Sequence, residues 1–245
     1  MHPPDDGPTP DHRSPLVLWL SVAQLVSWGC VFYGFSLLME PVEAALGMSR
    51  AESSLAFSLA LLMEGLLAYP VGRWIDRGHE RGLMAGGSLL MGLALAAHSA
   101  VQTPLQFYAV WLLLGVGMSA TLYPPAFAVL TRRYPQHFRR AIITLTFLGG
   151  LASTVFIPLI AWLFQTWGWR ESLWVLAALQ WLICLPIHAL VLRHAPVTHA
   201  PATARGDTPD LQRHLRSPTF LLLGTFMVLI MSVTSALPPE SMSSP

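Results

Sequence analysis

Gly72-Arg73-Trp74-Ile75-Asp76-Arg77-Gly78-His79-Glu80-Arg81 is a short, Gly-initiated run of charge set between two long apolar stretches. Five of its ten residues are charged, in a chain whose 14 basic and 13 acidic residues make only 27 of 245. Charge so concentrated between runs that carry almost none marks a turn leaving a lipid phase, and this turn sets how the rest of the chain is read.

Hydrophobic residues make up 53% of the chain and charged residues 11%, against about a quarter charged in an ordinary globular domain. That composition excludes a soluble enzyme. The net charge of +1 argues against a nucleic-acid surface or an acidic partner. The two cysteines, Cys30 and Cys184, both fall in apolar segments and are read as small packed side chains without a disulfide framework. Residues 1–15 are polar, Pro-rich and acidic, and no small-residue cleavage site follows the first apolar run, so the first helix is expected to be a retained span.

A helix crossing the hydrocarbon core needs about 20 mostly apolar residues, because nothing there can satisfy the backbone from outside. Seven segments meet or approach that length: 16–38, 51–71, 83–101, 105–130, 141–164, 171–192 and 218–236. Turns are expected at Glu40-Pro41, Thr103-Pro104 and Trp167-Gly168-Trp169. All 14 basic residues are Arg. With the N-terminus inside, twelve of them fall on cytoplasmic segments and only Arg50 and Arg170 on outer loops. This asymmetry predicts a cytoplasmic N-terminus in a cell inner membrane. Trp162, Trp167, Trp169 and Trp174 gather at the outer level and read as an interfacial belt.

The expected organisation is therefore all-α and polytopic: a cytoplasmic tail (1–15), a six-helix transmembrane bundle (16–192), a Pro-bearing cytoplasmic linker (193–217), a seventh helix (218–236) and a polar tail (237–245). The run Gly72–Arg81 has the form G-x-x-x-D-R-x-x-x-R and resembles the loop joining helices two and three of the major facilitator superfamily, whose two six-helix halves are joined by a long inner loop. Ser27-Trp28-Gly29-Cys30-Val31-Phe32-Tyr33-Gly34-Phe35 resembles the W-G-x-x-[FY]-Y-x-F start of bacterial monocarboxylate-porter-like permeases. So do Gly47-Met48-Ser49-Arg50-Ala51, Tyr123-Pro124-Pro125-Ala126 and Gly168-Trp169-Arg170. The resemblance implies a secondary transporter working by alternating access on a small solute, an organic anion such as a monocarboxylate. It also implies that Gly72, Asp76, Arg77 and Arg81 form an inner-face latch against a second half. That half is expected to be missing here: the chain reads as an N-terminal half plus helix seven, truncated and inactive alone. The chain departs from the wider superfamily in helix four, where Trp111 stands in the place of an Arg before Gly115-Val116-Gly117.

Several residues inside the spans carry chemistry. Glu64, in Leu61-Leu62-Met63-Glu64-Gly65, is an acid deep in a span about two turns from the inner face, and it reads as a coupling site or a paired structural acid. Gln24, Ser27, Trp28 and Tyr33 in helix one, with Ser119, Thr121 and Tyr123 in helix four, are candidate cavity-lining residues or interhelical hydrogen-bond partners. Pro124 and Pro125 free carbonyls that are tolerated where they border a cavity. His98 and His188 are expected at the interface. Gly72 is expected to let helix two pack closely on a neighbour. A rival reading, an intramembrane serine protease built on Gly117-Met118-Ser119-Ala120 with His188 as base, fails on depth: about 10 Å separates the two residues at 1.5 Å per residue. A third reading is a non-transporting membrane protein or degenerate fragment. The partners expected are the lipid bilayer and a small-molecule substrate, with no nucleic acid, no cofactor and no metal.

Overall fold

The computed structural model of the chain describes residues 15–193, with isolated positions at 217, 218, 222, 225 and 226. Of these last, 218, 222, 225 and 226 are helical. The N-terminal tail, the linker, most of the seventh segment and the polar tail lie outside the described residues.

Residues 15–193 form six helices long and apolar enough to cross a membrane: α1 (Pro15–Leu46), α2 (Arg50–Asp76), α3 (Glu80–Ser99), α4 (Pro104–Arg133), α5 (Phe138–Trp167) and α6 (Trp169–Arg193). Their starts are written in local chemistry. Ser49 caps α2, its hydroxyl accepting from the Glu52 amide while the Glu52 carboxylate accepts from the Ser49 amide. Thr103 and Gln106 form the same reciprocal box on α4, with Pro104 in the first turn, where its missing N–H costs nothing. Gly47, Gly78 and Gly168 hold the positive φ angles (64°, 86° and 83°) at which α1, α2 and α5 end and the chain turns.

The expected turn at Glu40-Pro41 is not there. Pro41 lies inside α1, which runs on to Leu46, and the chain turns at Gly47, where a left-handed residue is free of Cβ strain. The other expected turns hold. α1, α2, α4 and α5 also extend past their apolar runs by several residues, whereas α3 ends two residues short of its run.

One apolar cluster fixes the arrangement. Leu16, Val17 and Leu20 from the start of α1 are buried with Ile75 at the end of α2, Met84 near the start of α3, and Leu130 near the end of α4. Ala141 near the start of α5 and Leu192 at the end of α6 complete it. Starts and ends alternate, so the six helices run up and down, and this end of the bundle is the arginine-rich one. A second cluster, around Phe35, Trp111, Leu163 and Leu173, packs the opposite half.

In α1 and α4 the departure from regular helix follows from particular residues. α4 breaks at Leu122, whose backbone is extended (φ −76°, ψ −161°), just before Pro124 and Pro125 remove two consecutive helical donors. α1 carries a π turn over Gly29–Tyr33, and the Phe156 ring of α5 occupies the space a side chain on Gly29 would need.

Candidate functional site

Two places in the bundle concentrate polar chemistry: the arginine-rich end, and a cavity between α2 and α4.

At the arginine-rich end, Asp76 and Arg77 are exposed, and neither side chain has an ion pair or hydrogen bond among the described residues. Arg81 donates through Nε to the Ala189 carbonyl of α6 at 2.7 Å. Gly72 packs on nothing: a Cβ built there meets no atom within 4 Å, against the close helix packing expected for it. The reason is that Gly72 borders a cavity between α2 and α4, where no neighbouring atom comes close. Asp76 and Arg77 are thus presented outward, while Arg81 is held by α6.

What this end does gather is a clamp around Glu80, which charge reading alone passed over. Glu80 is 5% exposed. Its carboxylate accepts from Arg133 at 2.8 Å and from Arg132 at 3.4 Å. Arg132 also donates to the Ile75 carbonyl, and Arg133 to that of Leu192 at 3.3 Å. One carboxylate therefore ties together the ends of α2, α3, α4 and α6. The signal was available: an acid in the first turn of α3 and two arginines in the last turn of α4 each complement their own helix dipole, and up-down topology brings those two termini to the same level.

The cavity has a volume of about 220 Å³ and lies between α2 and α4, lined by α4 residues on both sides of the break at Leu122. Glu64, Val71, Gly72 and Ile75 of α2 face Ser119, Pro124 and Pro125 of α4 across it. Glu64 stands 12 residues before the end of α2 at Asp76, or about 18 Å at 1.5 Å per residue. It is therefore at mid-depth, more than three turns from the helix end rather than the two expected, because α2 outlasts its apolar run. No hydrogen-bond or ion-pair partner approaches its carboxylate among the described residues. Ser119 is 3% exposed and donates its hydroxyl to the Val116 carbonyl at 2.7 Å.

The other candidate cavity residues divide. Gln24, Ser27 and Thr121 are fully buried and hold helices together instead of lining open space. Gln24 Nε2 donates to the Thr121 carbonyl at 2.6 Å, joining α1 to α4. Ser27 Oγ lies 3.6 Å from Cys184 Sγ, and Gln180 Nε2 reaches Ser27 at 3.5 Å. Trp28, Tyr33 and Tyr123 are half-buried. Trp28 packs on Phe32 and Tyr123 with centroid distances of 4.2 and 4.9 Å, and Tyr123 stacks on Phe127 at 5.3 Å, giving a run of rings along α1 and α4.

His98 and His188, expected at the interface, are both fully buried. Each lies near its helix end in sequence, but side chains of the neighbouring helices cover it. His188 Nδ1 sits 2.7 Å from Ser88 Oγ, so the imidazole that the protease reading needed at Ser119 engages α3 instead. His98 lies among the rings of Phe107, Trp111 and Trp169.

Residues 17–243 match the sequence pattern of the Major Facilitator Superfamily. An MFS-type efflux pump of Mycolicibacterium smegmatis is 26% identical over 220 residues, covering 87% of this chain and 51% of the pump. Monocarboxylate transporter 13 of Bos taurus is 33% identical over 165 residues, 66% of this chain and 37% of that protein. Its counterpart in Rattus norvegicus is 34% identical over 100 residues, 40% of this chain and 23% of that protein. The chain thus spans about half, or less, of the length of the curated relatives it matches.

Proposed function

The chain belongs to the Major Facilitator Superfamily, and we propose on that premise that it forms one half of a secondary active transporter that moves a small solute across the cell's inner membrane by alternating access. The observation that carries this reading is the mid-depth cavity between α2 and α4, with Glu64 facing it. A polar, unpaired group at that depth belongs at a solute path or an ion path, since exposing it to lipid costs on the order of 2.5–3.5 kcal/mol. Rocking of two bundles about such a site is how this architecture works. In this reading Glu64 is the coupling acid, and Trp28, Tyr33 and Tyr123 border the path. Gly72, Asp76, Arg77 and Arg81 then form a latch against the second bundle. The outward presentation of Asp76 and Arg77 supports that role.

An organic anion such as a monocarboxylate is the solute class that the resemblance implies, and the likeness to monocarboxylate transporter 13 supports it. Such an anion would draw its counter-charge from residues other than those lining this cavity, because no Arg or His lines it among the described residues.

One six-helix bundle supplies one wall of an alternating-access site. Vesicles holding this chain alone are therefore expected to take up no lactate above protein-free vesicles, and uptake is expected once a second six-helix half is co-expressed with it. Saturable uptake by the chain alone would overturn the half-transporter reading. Failure of any solute to move through the paired protein would overturn transport itself.

We place the arginine-rich end in the cytoplasm, following the positive-inside rule. A green fluorescent reporter inserted at the 134–137 turn is expected to fluoresce and a phosphatase there to stay inactive. The reverse pattern would invert the topology.

A further inference from the structure

The cavity between α2 and α4 has a chemical bias that its size alone does not reveal: every polar group on it accepts. Glu64 contributes a carboxylate with no partner among the described residues. Ser119 contributes a hydroxyl oxygen whose proton is already committed to the Val116 carbonyl at 2.7 Å. No arginine, histidine, amide or indole N–H lines the space among the described residues. An anion placed there would meet a like charge and find no donor, and burial in an apolar setting makes both deficits costly.

A metal cation fits little better. Hard cations take about six or more oxygen ligands, whereas the side chains here offer one carboxylate and one hydroxyl. The rest of the lining is hydrocarbon, chiefly Val71, Ile75, Pro124 and Pro125. A single negative charge in a partly open apolar cleft of about 220 Å³ matches a cation that carries its own hydrocarbon: an alkylammonium group. Its methyl or methylene surface packs on the aliphatic walls, and its charge is met by Glu64 without a full coordination shell.

We propose that this cavity is a binding site for the alkylammonium group of an organic cation, with Glu64 as its counter-charge. The inference deepens the transporter reading at the same cavity and rests on it only for calling the ligand a transported solute.

The test is equilibrium binding of radiolabelled tetramethylammonium to the full chain in lipid nanodiscs. Saturable binding is expected, weakened about tenfold or more by Glu64→Gln and undisturbed by excess acetate. Glu64→Gln removes a charge from mid-membrane and leaves the packed core untouched, so the variant is expected to fold. Ala128→Phe, which fills the cavity from α4 and leaves the Glu64 carboxylate in place, is expected to abolish binding while the chain keeps its melting temperature. Absence of saturable binding to the wild type overturns the proposal. So does equal affinity in Glu64→Gln, displacement by acetate, or wild-type binding in Ala128→Phe. Binding is read without transport, so a paired protein that moves no solute sinks the transport reading and leaves this site standing. A folded wild type that ignores tetramethylammonium does the opposite.

Discussion

Replacing Glu80 by Gln is expected to destabilise the six-helix bundle by about 3 kcal/mol, at the lower end of what breaking a buried ion pair costs. The loss is large because this carboxylate meets two guanidiniums, and Arg133 is ion-paired to it at 2.8 Å in a buried setting. Arg133 has 6% of its side chain exposed and Arg132 26%, so the first cannot recover solvation and the second recovers only part. Arg133 Nη1 already lacks a hydrogen-bond partner among the described residues. A Gln amide would keep a hydrogen bond to one arginine and offer no charge to either. In a bundle of this length the shift in melting temperature should be about 6–12 °C, measured in detergent. The companion variant Asp76→Asn is expected to leave the melting temperature unchanged, since that carboxylate is exposed and makes no ion pair among the described residues. The two acids are four residues apart, and the contrast separates a charge that binds this half together from one held out for something else. In the double variant Glu80→Gln/Arg133→Gln much of the loss should be recovered, because the stranded charge goes with its partner. Equal stability of Glu80→Gln and wild type would mean the clamp contributes nothing.

That contrast also locates where sequence reading stops. The spans were legible because lipid imposes one requirement on a long stretch of chain, and the Gly72–Arg81 turn stood out because charge is scarce elsewhere. The cavity was partly legible: Glu64 was conspicuous as an acid in a span, and Pro124-Pro125 marked where α4 had to break. What neither pattern could supply was pairing across the fold. Glu80 meets Arg133 over 53 residues of chain, and Gln24 meets Thr121 over 97. A polar residue in a span looks the same in sequence whether it faces a solute path or a neighbouring helix. Gln24, Ser27 and Thr121 went to neighbouring helices, and Glu64 went to the cavity. His98 and His188 were misplaced for a related reason: distance from a helix end along the chain says little about burial when side chains of adjacent helices cover that end. Helix ends were misjudged because apolar runs report the lipid and caps report the helix, and the two differ by several residues.

The substitution Gly115→Leu is expected to cost still more, because it sets a side chain against backbone. A Cβ at Gly115 would overlap the Ala60 carbonyl oxygen and stand 2.9 Å from Ala60 Cα and 3.0 Å from its carbonyl carbon. A flexible side chain could swing aside, but main chain in the middle of a helix cannot, so α2 and α4 must separate. Overpacking a core typically costs 1–3 kcal/mol where side chains absorb the strain; here roughly 3 kcal/mol or more is expected, with Gly115→Ala already harmful. Gly117, two residues on, faces the other way, toward Met91 and the Gly87 carbonyl of α3. The Gly-x-Gly pair thus lets one helix approach two neighbours at once, which is how small residues serve helix association in lipid. Gly72 is the internal control. It sits on α2 with nothing within 4 Å of an added Cβ, and Gly72→Ala should be neutral or slightly stabilising in the isolated chain. If a second six-helix bundle closes on the uncovered face of α2, the same Gly72→Ala change should become harmful only in the paired protein. Thermal melts of both variants, alone and paired, decide this. A harmless Gly115→Leu would show that α2 and α4 do not lie as close as Ala60 and Gly115 place them, and the cavity beside them would lose its frame.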